Sequence, residues 1–185
     1  MKLKKFNFKT VNSTNDLAIQ IIKKTNNKSG IIIAEKQKKG RGQYGKKWSS
    51  FKGNLFVSIF FSIDKNKLSF KELTKINCLL VKKLISNFYK GKISIKKPND
   101  LLINKKKVAG ILQETLLVSR KKFIIIGIGI NLIKSPKIKD YPTTKLLELS
   151  NIKITSNNAM IKLKRIYEKY IPIFSKSNMK SIGRI

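Results

Sequence analysis

Three isoleucine- and leucine-rich runs close together between residues 100 and 132 constrain this chain more than any other feature. The apolar runs on either side of Asn104 to Lys107 read as the two strands of a hairpin, and Phe123 to Leu132 reads as a third strand beside them. A sheet built this way carries Asp100, Lys107, Gly110 and Asn131 close together. Pro98 stands before Asn99 and Asp100, and its ring fixes the approach of the chain, so the backbone aims the amide and the carboxylate. Gly110, Gly127 and Gly129 interrupt the apolar strands, which marks a bulge or a place where a ligand comes close to the backbone. The pattern is that of a sheet with something lying on it.

Other elements surround this sheet. Phe6 to Val11 reads as a short strand, and Asn12 to Asp16 opens a helix in which Leu17, Ala18, Ile21 and Ile22 recur at helical spacing. Ser13 or Thr14 is its N-cap; that helix start is either a plain cap or a source of hydroxyls and free N–H groups for a polar ligand. Gly30 to Glu35 is a buried strand, Asn54 to Ser62 a strand covered on both faces, and Ile93 and Ile95 flank a brief one. Ser69-Phe-Lys-Glu72 is a capping box, after which Leu73, Ile76, Leu80, Leu84 and Phe88 mark one face of a long helix expected to end at Gly91. Pro136 and Pro142 lie in a polar loop, and Thr144 to Leu149 is a short helical turn. Ser156 starts a last helix with Ile161, Leu163, Ile166, Tyr167 and Tyr170 apolar, ended by Pro172. The last dozen residues carry no strong pattern.

Between two strands, Gln37 to Ser50 holds Gly40, Gly42 and Gly45 together with Arg41 and several lysines. Glycines permit close backbone approach and the cations supply charge, so the loop resembles an anion cradle. It lacks the Gly-Lys-Ser/Thr ending of a P-loop, and no helix follows it as a dinucleotide fingerprint requires. Trp48, the single tryptophan, either stacks on a base, closes an apolar slot or belongs to the core.

Composition narrows the chemistry. A length of 185 residues with 41% hydrophobic content fits one domain over residues 1–185 with a real core. No apolar run is long enough to span a membrane as a helix and no signal-peptide core follows the N-terminus, so the cytoplasm is the default. The formal net charge of +33 suggests nucleic acid. However, 38 Lys against 4 Arg and 29 Ile against 5 Val is the signature of A- and T-rich codons, which spreads lysine over every face; an attraction to acidic partners survives this. The chain has no histidine, which excludes a Ser-His-Asp triad and a His-ligated zinc site, and Cys78 alone excludes disulfides. The remaining Lys, Arg, carboxylates, amides and backbone suit phosphate and acyl-phosphate chemistry, where positioning and charge neutralisation dominate. Of nine acidic residues, Glu35, Asp100 and Glu114 lie on or beside the motif strands; Asp100 and Glu114 are expected either to pair with lysines or, one of them, to hold magnesium.

Ser13-Thr14-Asn15, Gln37 through Gly45 followed by Trp48-Ser49, Lys96 with Pro98-Asn99-Asp100, Lys107 with Gly110-Ile111-Leu112 and Glu114, and Gly127-Ile-Gly-Ile-Asn131 together resemble the biotin protein ligase family in its short form. They occur in the family's order and spacing over nearly the whole chain. The resemblance implies an α+β fold: a mixed, mainly antiparallel central sheet flanked by helices, the biotin/lipoate ligase catalytic fold akin to class II aminoacyl-tRNA synthetases. It implies ATP-dependent attachment of biotin to a lysine of a biotin carboxyl carrier protein, of acetyl-CoA carboxylase or another carboxylase, through biotinyl-5'-AMP. ATP, biotin and Mg2+ are the cofactors so implied. Lys107 and Arg41 would be catalytic, and Ser13, Thr14, Asn15, Gln37, Gly40, Arg41, Lys107, Gly110 and Gly127 would line the biotin site. Arg41, Gln43, Trp48, Asn99, Asp100, Lys107 and Asn131 would address ATP and the adenylate, with Asp100 as the magnesium ligand.

The chain departs from the family at Gln43, where a second arginine associated with retaining the adenylate is usual, and at Lys97, where a tryptophan is usual. Neither a winged-helix segment nor the small C-terminal β-barrel is expected, so neither is specific DNA binding; a homodimer is compatible with the resemblance. The competing expectations are a lipoate or other acyl-acid ligase of the same fold, a biotin binder without catalysis, and a basic nucleic-acid-binding protein.

Overall fold

Seven strands, β1 (Lys4–Val11), β2 (Ser29–Gln37), β3 (Leu55–Ser62), β4 (Ile93–Lys96), β5 (Asp100–Ile103), β6 (Lys106–Val118) and β7 (Lys121–Ile130), form one sheet in the order β1-β2-β3-β7-β6-β5-β4. Strands β1 and β2 run parallel and every other neighbouring pair antiparallel, as the expected mixed, mainly antiparallel sheet requires. Three helices, α1 (Thr14–Lys24), α2 (Phe70–Ile85) and α3 (Ser156–Tyr170), pack on it. This computed structural model describes residues 1–25, 27–63, 68–139, 141–150 and 154–175; most of the patternless last dozen lies outside the described residues.

Two tight hairpins of the sheet turn on residues at positive φ, Asn104 and Lys105 between β5 and β6, Ser119 and Arg120 between β6 and β7. Two consecutive left-handed residues match the twist of the flanking strands. The pleat then divides the two faces. Ile31, Ile59, Ile124, Ile126 and Ile128 point to one face, where they meet α2 and α3 in the main core. Ile32, Phe60, Phe123 and Ile125 point to the other, under Ala18 and Ile22 of α1. Helix α1 covers only part of this second face. Beyond its start the strands place Gly127, Gly129 and Gly110, and these leave a hollow because they carry no side chains.

The capping box of α2 forms: Ser69 N donates to Glu72 Oε2 at 2.8 Å and Glu72 N to Ser69 Oγ at 3.3 Å. The helix ends at Ile85 and not at Gly91, because the Asn87 side-chain amide donates to the carbonyls of Lys83 and Leu84, satisfying the last turn early. Phe88 is buried nonetheless. In α3, Leu163, Tyr167 and Tyr170 are buried, whereas Ile161, read as apolar-face, is exposed. Tyr167 Oη donates to Asn77 Oδ1 at 3.0 Å, and Asn77 Nδ2 to Gln113 Oε1 at 2.7 Å, so a buried polar chain ties both helices to the back of β6.

Candidate active site

The hollow is a cleft of about 570 Å³, within the range of small-molecule sites. Its floor follows from register. Gly110 of β6 stands opposite Gly129 of β7, which stands opposite Phe56 of β3; one row along, Leu112, Gly127 and Ser58 are aligned in the same way. A Cβ at Gly129 would lie 2.3 Å from Trp48 Cε2, one at Gly110 2.7 Å from Trp48 Cζ3, and one at Gly127 2.5 Å from Asn15 Oδ1. The close approach that the glycines foretold is thus made by the protein's own indole and amide. Trp48 Nε1 is buried there without a hydrogen-bond partner among the described residues.

At one end, the start of α1 supplies Ser13 as N-cap, its hydroxyl accepting from Asp16 N at 3.4 Å. Thr14 N donates to Gln37 Oε1 at 2.8 Å, and Ser58 Oγ lies 2.8 Å from Thr14 Oγ1 and also bonds Asn15 Oδ1. Asn15 Nδ2 donates to Glu114 Oε2 at 2.6 Å. Ser13, Thr14, Asn15 and Ser58 are buried and the set is mutually bonded, so this wall is rigid.

The glycine loop folds back on itself: Gly42 N donates to the Lys46 carbonyl and Trp48 N to the Gly40 carbonyl, around a tight turn in which Tyr44 takes φ 53° and is exposed. Gly40 is required because the Trp48 carbonyl would lie 2.7 Å from any Cβ there. Arg41 is held twice. Its Nη1 and Nη2 donate to Glu114 Oε1, each at 3.0 Å, and Nη2 also lies 2.9 Å from Glu114 Oε2 and 2.8 Å from Asp16 Oδ1. Burial works against the guanidinium's charge, but Glu114 and then Asp16 outweigh it and raise its pKa above the ordinary value.

At the other end a β-bulge decides where Lys107 points. Leu101 pairs with Ala109 but Leu102 with Lys107, so Val108 is the extra residue and the parity of β6 changes there. Lys107 therefore shares the cleft face with Asp100 and Gly110. Its Nζ lies 2.7 Å from Asp100 Oδ1, an ion pair rather than a well-directed hydrogen bond, and 5.2 and 5.4 Å from the Trp48 and Tyr141 ring centres. Tyr141 Oη donates to Asp100 Oδ2 at 2.5 Å; burial, then the bond and charge of Asp100, push this phenol well above its ordinary pKa, so it stays a neutral donor. Asn99 Nδ2 donates to the Ile111 carbonyl at 2.6 Å, and Asn131 Nδ2 to the Thr144 carbonyl at 3.1 Å.

Of the residues singled out from sequence, Ser13, Thr14, Asn15, Gln37, Arg41, Gln43, Trp48, Asn99, Asp100, Lys107, Gly110, Gly127 and Asn131 all line this cleft. Gly40 does not; it backs the wall. Glu114 pairs with Arg41 and not with a lysine, because β6 runs its Glu114 end past the loop. Asp100 does pair with a lysine. Both its oxygens are engaged in this arrangement, Oδ1 by Lys107 and Oδ2 by Tyr141. Three participants went unread: Ser58, which looked like one position of a strand; Asp16, which looked like a helix-start acid; and Tyr141, whose loop carried no motif. Asn54 is a fourth, its Oδ1 accepting from the backbone N–H groups of Leu132, Ile133 and Lys134 to fix the exit of β7.

Residues 7–131 match the sequence model of the Biotin/lipoate A/B protein ligase family. The chain is 34% identical over 125 residues to the Bifunctional ligase/repressor BirA of Escherichia coli K12, covering 66% of this chain and 38% of that protein. It is 30% identical over 167 residues to BirA of Bacillus spizizenii, covering 86% and 51%. The chain thus spans about half the length, or less, of these curated relatives. Among solved structures, Biotin protein ligase from Aquifex aeolicus in complex with biotin and ATP superposes with a TM-score of 0.80 at 28% identity, covering 98% of this chain and 76% of that one. A bipartite lipoate protein ligase from Thermoplasma acidophilum, at 12% identity and TM-score 0.61, shares the fold.

Proposed function

Because the chain belongs to the biotin/lipoate A/B protein ligase family, we propose that residues 1–185 act as one catalytic domain that activates biotin with ATP and passes it to a lysine of a carrier protein. The observation that carries this reading is convergence: motif residues from five separated segments, the cations Arg41 and Lys107 among them, line a single cleft. In the first step a biotin carboxylate oxygen attacks the α-phosphorus of ATP; the bond to the β-phosphate bridging oxygen breaks and pyrophosphate leaves. In the second, the neutral ε-amine of the carrier lysine attacks the acyl carbon of biotinyl-5'-AMP, AMP leaves, and the amine proton is lost to water.

Each part of the site has work in this scheme. Two anions must meet, and Arg41 and Lys107 offset their repulsion in a cleft where water is partly excluded. Lys107 is aimed by the Val108 bulge and paired with Asp100, itself oriented by Tyr141. The α1 wall with Thr14, Asn15 and Gln37 supplies directed donors and acceptors for a polar bicyclic head, and the glycine floor with Trp48 suits a flat adenine. Magnesium enters as the ATP complex, with no residue of this chain assigned to it. The carrier is read as the biotin domain of a carboxylase, acidic enough to be steered by the surface lysines, and the compartment as the cytoplasm. No helix among the described residues is long and apolar enough to cross a membrane.

ATP–pyrophosphate exchange tests the first step, run with biotin, with lipoate and with no acid. Biotin-dependent exchange is expected; lipoate-dependent exchange would move the chain to the other branch of its family, and none with either acid would refute the reading.

A further inference from the structure

The same guanidinium that has to receive a substrate anion is already satisfied by two carboxylates. Glu114 takes both terminal nitrogens of Arg41 and is itself anchored by Asn15 on the rigid wall, its side chain 26% exposed. Asp16 makes a single contact at 2.8 Å from the first turn of α1, and its side chain is 43% exposed. Neither carboxylate lines the cleft, whereas Arg41 does. The two acids leave this corner with one unit of net negative charge, where the proposed reaction requires a positive one.

We infer that Asp16 is an internal competitor for Arg41, displaced when a substrate carboxylate or phosphate binds, and that Glu114 is the positioning residue which keeps the guanidinium at the cleft during the exchange. This rests on the function proposed above and deepens it. The swap is one oxyanion for another, so Arg41 keeps its hydrogen bonds throughout. The asymmetry decides which acid leaves: one solvent-screened contact is broken easily, a forked pair braced by an amide is not. Asp16 moves only by rotating into water at the helix surface.

The two acids therefore have opposite signatures. Asp16→Asn removes the competitor while leaving a polar residue at the helix start, so the KM for biotin in pyrophosphate exchange falls by about two- to fivefold, the range open to an exposed pair, with kcat little changed. Glu114→Gln keeps the side chain's shape but releases Arg41, so kcat falls on the order of tenfold or more while the melting temperature holds. Glu148→Gln, which removes an exposed acid paired with Lys145 outside the cleft, controls for the change in net charge. An unchanged or raised KM in Asp16→Asn, or the same fall in KM in Glu148→Gln, overturns the inference. Calorimetry with inorganic pyrophosphate is run in parallel. If the wild type is inert toward both acids, the proposed function fails, and tighter pyrophosphate binding by Asp16→Asn than by wild type still supports competition at Arg41, while equal binding removes it.

Discussion

Replacing Gly129 by alanine tests whether the indole of Trp48 rests on the glycine floor. The new Cβ would meet Trp48 Cε2 at 2.3 Å, short of the 3.4 Å at which ordinary contact begins by 1.1 Å. The backbone cannot retreat, because residue 129 is paired on one side to Gly110 and on the other to Phe56. The indole has to lift. Overpacking of this kind costs about 1–3 kcal/mol, which for a chain of this size lowers the melting temperature by roughly 2–12 °C. At Gly110 the shortfall is smaller, 0.7 Å from the 2.7 Å contact with Cζ3, so Gly110→Ala should do less damage. The assay is direct because the chain has one tryptophan. Its emission should shift to the red in Gly129→Ala as the ring moves into water, and ATP affinity measured by calorimetry should weaken in the same order, residue 129 before 110. A Gly129→Ala protein with the wild-type emission maximum and melting temperature would refute the packing.

Lys107→Ala should abolish exchange and also lower stability by about 1–3 kcal/mol, because the half-buried Asp100 is left with Tyr141 alone; adding Asp100→Asn should recover the stability in a thermal melt but none of the activity. The Cys78 thiol, pushed up to about 12 by burial and then by the charge of Asp100, should react with a thiol reagent at pH 8 only as fast as the protein unfolds, and prompt labelling of the native state would contradict its burial. Glu168 loses some of its acidity to burial, but the bonds it accepts from Lys164 and from Leu3 N outweigh this and lower its pKa below the ordinary carboxylate value. A depressed folded value means stability that is complete above the unfolded value and lost as pH falls through the folded one. Urea melts should accordingly show Glu168→Gln less stable than wild type by about 1 kcal/mol at pH 7 and indistinguishable in strong acid.

Much of the architecture was legible because it is written within a few residues of itself. The Ser69–Glu72 box, the continuous apolar run of β3 and the apolar runs flanking Asn104 each need only a short window, and the structure places the elements there. Errors arose where a distant or competing bond intervened. Asn87 ended α2 six residues early by capping its carbonyls, and Glu114 met an arginine 73 positions away in place of a lysine.

The sequence by itself determined the strands, the helix starts, the glycine positions and the absence of histidine, and through these the kind of chemistry open to the chain. Tertiary structure alone decided which charges meet. The Val108 bulge turns Lys107 from the core face to the cleft, a change of parity that no period-two pattern announces. Asp16 reaches Arg41, and Tyr141 reaches Asp100, because sheet order carries segments far apart in the chain to one surface. Local periodicity encodes which way a side chain faces relative to its own backbone; only the packed sheet fixes what stands opposite.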